Sequence, residues 1–435
     1  MKSKKSRNQP RTRKTLHRLP ARSVTAQIDE LGHHGDGIGL IEGEDTTSRV
    51  FVPFALPGES VRISLQGKDA TLKEIITPSN DRIDAFCPHF TRCGGCTMQH
   101  LEGRAYTQWK HNIVVTALAN KDLDVAVDDL IDAHGKGRRR ISLHVRKIKD
   151  GWKAGFMIAG THQILDLDRC PITVPDLQDV TPLARALAGA FKDEGRDLDM
   201  RITETREGLD CDITGAKAEG YDTLADLAEV AESYDLARVA VEGDTIVERR
   251  KPYLIMGTAR VTPSPGSFLQ ATTLGEETLA RLVLEYVGND AKSVADLFCG
   301  IGSFALRLVE NTPVFACDNN AGAINALEVA ARHTPGLKPL RAEQRNLFKN
   351  PLADIELDPF DTVVFNPPRA GAEAQARELA ISKVSRVIAV SCDPASFARD
   401  AEILCTIGRF TLDKVTPVDQ FKWSSHVEVV AQFTR

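Results

Sequence analysis

The stretch Arg386-Val-Ile-Ala-Val-Ser-Cys-Asp-Pro394 decides how the last third of this 435-residue chain folds. Residues 387–390 form a short apolar run rich in β-branched residues, which predicts a strand buried on both faces. The run stops at Ser391-Cys392-Asp393-Pro394, and residues 395–404 have a helical pattern. Cys392 is therefore predicted to lie at the carboxyl end of a buried parallel strand, where open α/β sheets bind their ligands.

The position of Cys392 allows two interpretations. Unpaired N–H groups at the start of the next helix favour a thiolate, which indicates a reactive cysteine. A free cysteine is otherwise a small buried hydrophobe, which is its usual state in proteins. The choice between these interpretations depends on the sequence upstream.

The length of the chain predicts several domains, and its charge distribution sets the amino-terminal segment apart. A chain of 435 residues exceeds what a single core supports, and its net charge is -5. Residues 1–22 nevertheless carry no acid and many bases, namely Lys2, Lys4, Lys5, Arg7, Arg11, Arg13, Lys14, Arg18 and Arg22. Such a segment is predicted to be a disordered arm that either holds phosphates or merely solubilises the protein.

The sequence predicts a cytoplasmic protein that does not cross a membrane. No apolar run approaches about 18 residues, and the amino terminus lacks the apolar core of a signal peptide. Thiols stay reduced in the cytoplasm, so clustered cysteines there indicate a metal site or catalysis rather than disulfides.

Residues 23–76 consist of short alternating runs broken by glycines, which predicts a small β-barrel. Two stretches, Leu31-Gly-His-His-Gly-Asp-Gly-Ile-Gly39 and Phe51-Val-Pro-Phe-Ala-Leu-Pro-Gly-Glu59, resemble the TRAM domain, an OB-like RNA-binding barrel. A barrel of this size also serves as a protein-contact module, so RNA binding needs support from the rest of the chain.

Three cysteines, Cys87, Cys93 and Cys96, lie within ten residues and predict a metal site. A C-x₂-C pair suits zinc, but zinc sites usually combine two such pairs, and this chain has no second one. Three clustered cysteines and a distant fourth suit a four-cysteine iron–sulfur cluster better. Cys170, which precedes a proline after a strand-like run, is the best candidate for the fourth ligand, although zinc remains an alternative.

Residues 104–262 carry little chemical information and indicate α+β structure. Tyr106–Ala119 has the pattern of an amphipathic helix. Arg138-Arg-Arg140 opens a strand-like run, and these arginines either contact phosphates or form an ordinary solvated charge run.

Strands and helices alternate from residue 263 onward, which predicts a doubly wound parallel sheet. The strand ending at Phe298 is followed by Gly300, Gly302 and Ser303, a turn that lets the backbone approach a cofactor. The next strand ends in Asp318, which is well placed for ribose hydroxyls, and a later strand ends in Asn366-Pro-Pro.

The glycine turn fits two classes of cofactor. Gly300-Ile-Gly302-Ser-Phe-Ala305 satisfies the loose dinucleotide fingerprint, so an NAD enzyme is one possibility. Asp296 before the glycines and Asn366-Pro-Pro at the later strand end both resemble class I S-adenosylmethionine methyltransferases instead. The combination favours the methyltransferase.

From about residue 21 onward the chain resembles the bacterial RNA (uracil-5-)-methyltransferases of transfer and 23S ribosomal RNA. The resemblance rests on the TRAM-like segment, the three clustered cysteines, Phe268-Leu-Gln270, Asp296-Leu-Phe-Cys-Gly-Ile-Gly302, Asn366-Pro-Pro-Arg-Ala-Gly371, Ser391-Cys392-Asp393-Pro394 and His426-Val-Glu428. It implies four parts, namely a basic arm (1–22), a TRAM-like barrel (23–76), a central α+β domain (77–262) and a methyltransferase domain (263–435).

The resemblance also implies roles for particular residues. Cys392 would be the nucleophile and Glu428 the base, and Cys170 would complete a [4Fe–4S] site with the clustered cysteines. The residues implied to bind S-adenosylmethionine and the target base are Gln270, Phe298, Gly300, Gly302, Ser303, Asp318 and Asn366. The implied partner is RNA, 23S ribosomal RNA more than transfer RNA, and the implied state is a monomer.

Several positions depart from the family pattern. Asn366 and Asn346 stand where an aspartate is usual, Thr272 stands where an asparagine is usual, and Lys422-Trp423 replaces a Pro-His pair. An amide at 366 offers a donor where a carboxylate only accepts. Two alternatives therefore remain, an amino-nitrogen methyltransferase that uses Asn366-Pro-Pro and a non-catalytic RNA-binding relative.

Overall fold

The computed structural model describes residues 20–42, 47–191 and 197–435, and the chain divides into two units, Met1–Arg82 and Ile83–Arg435. The basic arm expected over 1–22 therefore lies outside the described residues, apart from residues 20–22.

The first unit is built around a five-stranded antiparallel sheet of order β3-β2-β1-β4-β5. Alternate residues of the central strands are buried, as Ala26 and Ile28 are in β1 and Val61 and Ile63 are in β4. The two edge strands, β3 and β5, contact each other. The strands are β1 (Arg22–Leu31), β2 (Gly37–Glu42), β3 (Thr47–Val52), β4 (Ser60–Gln66) and β5 (Asp69–Thr77).

The first part of the second unit combines a long helix with a seven-stranded sheet of order β13-β12-β11-β10-β7-β8-β9. The predicted helix is confirmed and begins three residues earlier, because the Glu102 carboxylate caps it by accepting from the Arg104 and Ala105 N–H groups. The elements are α1 (Gly103–Ala119), β6 (Ile131–Asp132), β7 (Arg140–Ile148), β8 (Gly151–Met157), β9 (Ile164–Asp166), α2 (Pro175–Gln178), α3 (Thr181–Gly189), β10 (Leu198–Thr205), β11 (Gly208–Thr214), α4 (Tyr221–Ser233), β12 (Arg238–Val241), β13 (Asp244–Glu248), β14 (Leu254–Met256) and β15 (Ala259–Val261).

The last part of the second unit is an eight-stranded sheet of order β18-β17-β16-β19-β20-β22-β21-β6. Strands β16 to β20 are parallel, and β22 enters antiparallel between β20 and β21. The elements are α5 (Thr273–Val287), β16 (Val294–Leu297), α6 (Ala305–Leu308), β17 (Val314–Asp318), α7 (Ala321–Arg332), β18 (Leu340–Gln344), α8 (Asp354–Leu357), β19 (Thr362–Phe365), α9 (Glu373–Ile381), β20 (Arg386–Ser391), α10 (Pro394–Thr406), β21 (Thr411–Asp419) and β22 (Glu428–Thr434).

The doubly wound sheet predicted from residue 263 onward is confirmed. Its inner strands are buried on both faces, and two separate apolar clusters cover the two faces. The strand predicted over 387–390 is β20, and α10 follows it because Pro394 suits the first turn and the Asp393 Oδ1 accepts from the Ser396 N–H at 2.9 Å.

A buried ion pair fastens α1 to the end of β21. The Lys110 ammonium, whose side chain is fully buried, donates to Asp419 Oδ1 at 2.8 Å, and the Tyr106 hydroxyl donates to Asp419 Oδ2 at 2.7 Å. Lys110 also donates to the His426 carbonyl. One helix therefore holds both the end of β21 and the loop that leads into β22.

Among the residues described, no helix combines the length and the apolar character that crossing a membrane requires.

Replacing Lys110 with methionine is expected to lower the free energy of unfolding by about 3–5 kcal/mol, because it leaves the Asp419 carboxylate buried without its cation. Urea unfolding of the full chain measures the change. Lys121→Met is the matched control, since the Lys121–Glu402 pair is exposed to 36% and 39%. The control is expected to change stability by about 0–1 kcal/mol. Equal losses in the two variants would contradict this account of the buried pair.

Candidate active site

The carboxyl ends of four parallel strands meet at one edge of the sheet, and each carries a residue predicted for the site. Phe298 follows β16, Asp318 ends β17, Asn366 follows β19 and Cys392 follows β20. Between β16 and β19 the order of the strands reverses, which makes this edge the ligand-binding position of an open α/β sheet.

The turn after β16 leaves open space beside its backbone. Gly300 and Gly302 have φ angles of 55° and 94°, which glycine adopts without strain. A Cβ on Gly300 would meet no atom within 4 Å, whereas a Cβ on Gly302 would lie 2.5 Å from Leu327 Cδ1 of α7. Gly300 thus leaves room for a ligand, while Gly302 lets α7 approach. Ser303 is half-buried, and its carbonyl accepts from Arg307.

Asp318 braces this turn from the neighbouring strand. Its Oδ2 accepts from the Gly300 N–H at 2.9 Å, and its Oδ1 accepts from the Asn320 N–H at 2.8 Å. A carboxylate has about four acceptor positions, so two donors leave capacity for ligand hydroxyls. Asp318 can therefore fix the turn and contact a ribose at once.

Two aromatic rings lie beside the turn. Phe298 has a φ of 62°, an uncommon conformation for a residue other than glycine, and its ring centroid lies 5.4 Å from that of Phe348. The Phe348 side chain is half exposed. The pair offers an apolar surface of the kind on which a purine ring packs.

The pairing of β20 with β22 brings Cys392 and Glu428 together. Ser391, the last residue of β20, pairs with Val429, so the next step of the antiparallel register sets Cys392 opposite Glu428. The Glu428 charge also raises the pKa of the Cys392 thiol. A thiol and a carboxyl group thus face each other at the ligand-binding edge.

Glu428 is buried, with 3% of its surface exposed. Burial raises the pKa of its carboxyl group to about 7, although the hydrogen bond from Gln420 and the charges of Arg369 and Lys110 lower it. A carboxyl group with this pKa exchanges protons readily at neutral pH, which suits a general base.

Cys392 lies between the end of β20 and the start of α10, which is the predicted position. Burial and the neighbouring Glu428 raise the pKa of the Cys392 thiol to about 11, and the opposing charge of Arg369 is a smaller effect. The Asp393 side chain also caps α10, so an anion already faces the first turn. Burial and the Glu428 charge thus favour the neutral thiol of Cys392.

Asn366 and Arg369 belong to the loop after β19. The Asn366 N–H donates to the Leu297 carbonyl at 3.1 Å, and its side chain is half-buried. Arg369 Nη2 lies 2.8 Å from His426 Nε2. Burial and then the charge of Arg369 lower the pKa of His426 to about 4, so a neutral imidazole accepts the hydrogen bond from Arg369.

Gln270 is held behind Glu428 by other buried groups. Its carbonyl oxygen accepts from Arg139 Nε at 3.1 Å, and its side-chain Oε1 accepts from Gln420 Nε2 at 2.6 Å. Gln420 also donates to Glu428, so the structure joins Gln270 to the predicted base through one intervening amide.

The four predicted metal ligands, Cys87, Cys93, Cys96 and Cys170, line one cavity of about 70 Å³. Within the described residues, no group of three or more His, Cys, Asp or Glu side chains is arranged so that it could hold a metal ion. Burial raises the pKa of Cys96 to about 11 and that of Cys170 to about 12. The four thiols around one cavity form an all-sulfur donor set, which is the kind of donor set that iron–sulfur clusters use.

The run Arg138 to Arg140 is not a solvated charge run. Arg139 is buried and donates to Glu276 Oε2 at 2.6 Å, which takes it out of reach of phosphates. Arg140 is half-buried and donates to the Ser267 carbonyl at 2.9 Å. The Arg138 guanidinium lies over the Phe421 ring at 5.9 Å and beside the cysteine cavity.

Two of the departures from the family pattern have local structural roles. Thr272 caps α5, because its Oγ1 accepts from the Gly275 N–H at 2.8 Å, and it donates to the Ala133 carbonyl at 2.6 Å. Asn346 closes a turn by accepting from the Phe348 and Lys349 N–H groups at 3.1 and 3.2 Å.

Sequence reasoning did not find Lys110, Gln420 or Phe348, and it gave Arg369 no role of its own. Lys110 and Asp419 are separated by 309 residues, and no pattern along the chain links them. Gln420 precedes Glu428 by only eight residues, but a polar residue after a strand is common in loops. Only the short spacing to Glu428 could have drawn attention to it.

Comparisons with known proteins agree with this geometry. The family model described as tRNA (Uracil-5-)-methyltransferase matches residues 258–435. An "Uncharacterized RNA methyltransferase" of Brucella suis is 42% identical over 423 residues, which cover 95% of this chain and 99% of that protein. The 23S rRNA (uracil(1939)-C(5))-methyltransferase of Shewanella sediminis is 27% identical over 427 residues, which cover 94% of this chain and 95% of that protein.

A solved structure has the same fold over nearly the whole chain. The Pyrococcus abyssi tRNA (uracil-54, C5)-methyltransferase in complex with S-adenosyl-L-homocysteine superposes with a TM-score of 0.70 at 23% identity, covering 94% of this chain and 99% of that one. Its likeness assigns a class I S-adenosylmethionine methyltransferase fold. The near full-length relatives show that the chain belongs to the RNA methyltransferases, and the family model places residues 258–435 among the S-adenosylmethionine-dependent RNA (uracil-5-)-methyltransferases.

Proposed function

We propose that this protein methylates carbon 5 of a uridine in RNA through a temporary bond between Cys392 Sγ and carbon 6 of the base. The observation that carries the proposal is the opposition of Cys392 and Glu428 at the ends of β20 and β22. The reaction needs a nucleophile at carbon 6 and a base at carbon 5 of the same base ring. Cys392 and Glu428 are the two groups that we propose for these roles.

Carbon 5 of uracil is too electron-poor to attack a methyl group unaided. Addition of the Cys392 thiolate to carbon 6 breaks the ring double bond and leaves an enolate, which makes carbon 5 nucleophilic. S-adenosylmethionine supplies the electrophilic methyl group. A cysteine suits this role because a thiolate both adds to carbon 6 and later leaves it.

Glu428 completes the reaction by removing the proton that carbon 5 still carries. The electron pair of that C–H bond restores the double bond, and the Cys392 thiolate is expelled. The thiol proton lost to solvent before attack is regained afterwards. The net reaction therefore releases one proton, which comes from carbon 5 and leaves through Glu428.

The residues proposed to hold the methyl donor and the target base surround the open space at the strand ends. The free space beside Gly300 and the remaining acceptor capacity of Asp318 support their contact with the donor. The full proposed set is Gln270, Phe298, Gly300, Gly302, Ser303, Asp318 and Asn366.

The first unit is proposed to be the TRAM-like barrel that binds RNA, over residues 23–76. Phe51 on β3 is 52% exposed, and the Arg49 guanidinium lies 5.8 Å from the centre of its ring. An exposed aromatic ring with a cation over it is a common platform for a stacked base. The proposed central domain spans 77–262 and the methyltransferase domain 263–435, in a protein that acts as a monomer in the cytoplasm.

The proposed substrate is 23S ribosomal RNA rather than transfer RNA. The support is the Shewanella relative, which is named for 23S rRNA and aligns over 95% of its length. The target base must leave its stack, at a cost of about a few kcal/mol that is smallest in loops and single strands. Contacts of the barrel and the basic arm with phosphates are proposed to offset that cost.

Cys87, Cys93, Cys96 and Cys170 are proposed to hold a [4Fe–4S] cluster. The support is the shared cavity and the all-thiol donor set. The cluster would link Cys170 to the segment that carries the other three cysteines, and we assign it no step of the methyl transfer.

Cys392→Ala is expected to abolish a covalent complex with RNA that contains 5-fluorouridine. Fluorine at carbon 5 blocks the final elimination, so the wild-type protein and S-adenosylmethionine should give a complex that survives denaturation. Gel electrophoresis of labelled 23S rRNA and tRNA transcripts detects it, with the 23S transcript expected to react. Cys405→Ala is the matched control, since Cys405 is a half-buried cysteine of α10 away from the site, and it should keep the complex.

Other outcomes of that experiment identify the alternatives. An amino-nitrogen methyltransferase would give methylated product without a complex, and a non-catalytic RNA-binding protein would give neither. A complex with the tRNA transcript alone would overturn the proposed preference for ribosomal RNA.

Formation of the fluorouridine complex is expected to accelerate with pH. The reactive thiolate is the minor form below the Cys392 pKa of about 11. Its fraction, and with it the rate, should therefore rise with pH between about pH 6 and 9, with an upper bound of about tenfold per pH unit because Glu428 ionises in the same range and opposes the thiolate. Quenched-flow measurement of the complex at each pH tests this, and a flat profile would contradict a protonated resting thiol.

Protein purified without oxygen is expected to be brown and to absorb at about 400 nm, as thiolate-ligated iron does. Cys170→Ala should bleach this band and lower the iron and sulfide content. Cys211→Ala should not, because Cys211 lies in the central sheet and is not among the residues that line the cavity. Colourless wild-type protein that contains zinc would overturn the cluster assignment.

A further inference from the structure

Gln420, the first residue after β21, is fully buried and makes three hydrogen bonds through one amide group. Its Oε1 accepts from the Ala271 N–H at 2.9 Å. Its Nε2 donates to Gln270 Oε1 at 2.6 Å and to Glu428 Oε1 at 2.9 Å. Every hydrogen-bonding atom of the side chain is therefore in use.

The backbone determines which way this amide faces. The Ala271 N–H can only donate, so the oxygen of Gln420 must face it and the nitrogen must face the other two partners. Gly275 makes room for the amide in this orientation, because a Cβ there would lie 2.6 Å from Gln420 Oε1. The fold therefore determines that Nε2 of Gln420 is the atom that points at Glu428.

This donor occupies one of the two carboxyl oxygens of Glu428. Oε1 of Glu428 therefore already accepts one hydrogen bond, and Oε2 is the oxygen that we propose takes the proton. The hydrogen bond also opposes burial and lowers the pKa of the carboxyl group. The other charged or titratable groups facing Glu428 are Lys110 from α1, Arg369 from the loop after β19 and Cys392 from the loop after β20.

We propose that Gln420 is a positioning residue that orients Glu428 and keeps it ready to accept the proton from carbon 5. The inference rests on the proposed function, because it assumes that Glu428 is the base. Gln420 acts after methyl transfer, so its loss slows the release of the methylated base and leaves the attack by Cys392 in place.

The test uses Gln420→Leu and Gln420→Met in the full-length protein, because both side chains fill the space and neither donates a hydrogen bond. The substrates are a 23S transcript that contains ordinary uridine and S-adenosylmethionine. Both variants should accumulate a covalent complex that the wild-type protein resolves. In both variants the rate of resolution should rise with pH, with a midpoint about one to two pH units above that of the wild-type protein. The reason is that a carboxyl group whose anion loses a hydrogen bond has a higher pKa. Raising the pH should restore the rate.

Two controls run in parallel. Gln432→Leu removes a half-buried glutamine of β22 that donates to the Tyr286 carbonyl at 3.0 Å, and it should resolve the complex normally. Glu428→Gln should trap the complex at every pH. Unchanged binding of S-adenosylmethionine, measured by calorimetry, confirms that each variant is folded. If Gln420→Leu fails to fold, Gln420→Met takes its place in the test.

The outcomes separate the inference from the function on which it rests. The positioning role is overturned if both Gln420 variants resolve the complex at the wild-type rate, or if they slow its resolution by the same factor at every pH. Either result counts against Gln420 alone as long as Glu428→Gln still traps the complex. Normal resolution by Glu428→Gln would instead overturn the role of Glu428, and the proposed mechanism with it.

Discussion

The ion pair between Lys110 and Asp419 is the constraint on which the site depends. It buries two charges, which is tolerated only because Tyr106 and the backbone satisfy the remaining hydrogen-bonding positions. Asp419 is the last residue of β21, and the loop that follows leads to Glu428 at the start of β22. Fixing Asp419 to α1 therefore fixes where the loop begins, and with it the side chains that reach into the active site.

Burial raises the pKa of both Glu428 and Cys392, and the consequence differs between the two groups. It raises the pKa of Glu428 to about 7, which keeps a carboxyl group near the working range of a base. It raises the pKa of Cys392 to about 11, which favours the protonated thiol. Arg369 is the nearby cation that opposes both effects. A resting thiol is also a poor target for stray electrophiles, since the thiolate is the reactive form.

The cysteine cavity and the active-site loop are parts of one packed region. The Thr97 and Met98 N–H groups, just after the clustered cysteines, both donate to the Trp423 carbonyl at 2.8 and 3.1 Å. The Trp423 ring lies against the rings of Phe86 and His134 at 4.8 and 4.9 Å. The departure from the family pattern at Trp423 thus lies where the segment after the clustered cysteines packs against the loop between β21 and β22.

The sequence by itself determined the features that depend on neighbours along the chain. Apolar runs ending in Cys392 and in the glycine turn predicted buried strands and a ligand-binding edge, and the spacing of the first three cysteines predicted their grouping. Only the tertiary structure decided which buried groups face each other. Lys110 and Gln420 meet their partners because β22 enters antiparallel between β20 and β21 and α1 crosses behind them. The pKa of the Cys392 thiol likewise depends on burial and on the Glu428 charge, which only the tertiary structure brings to it.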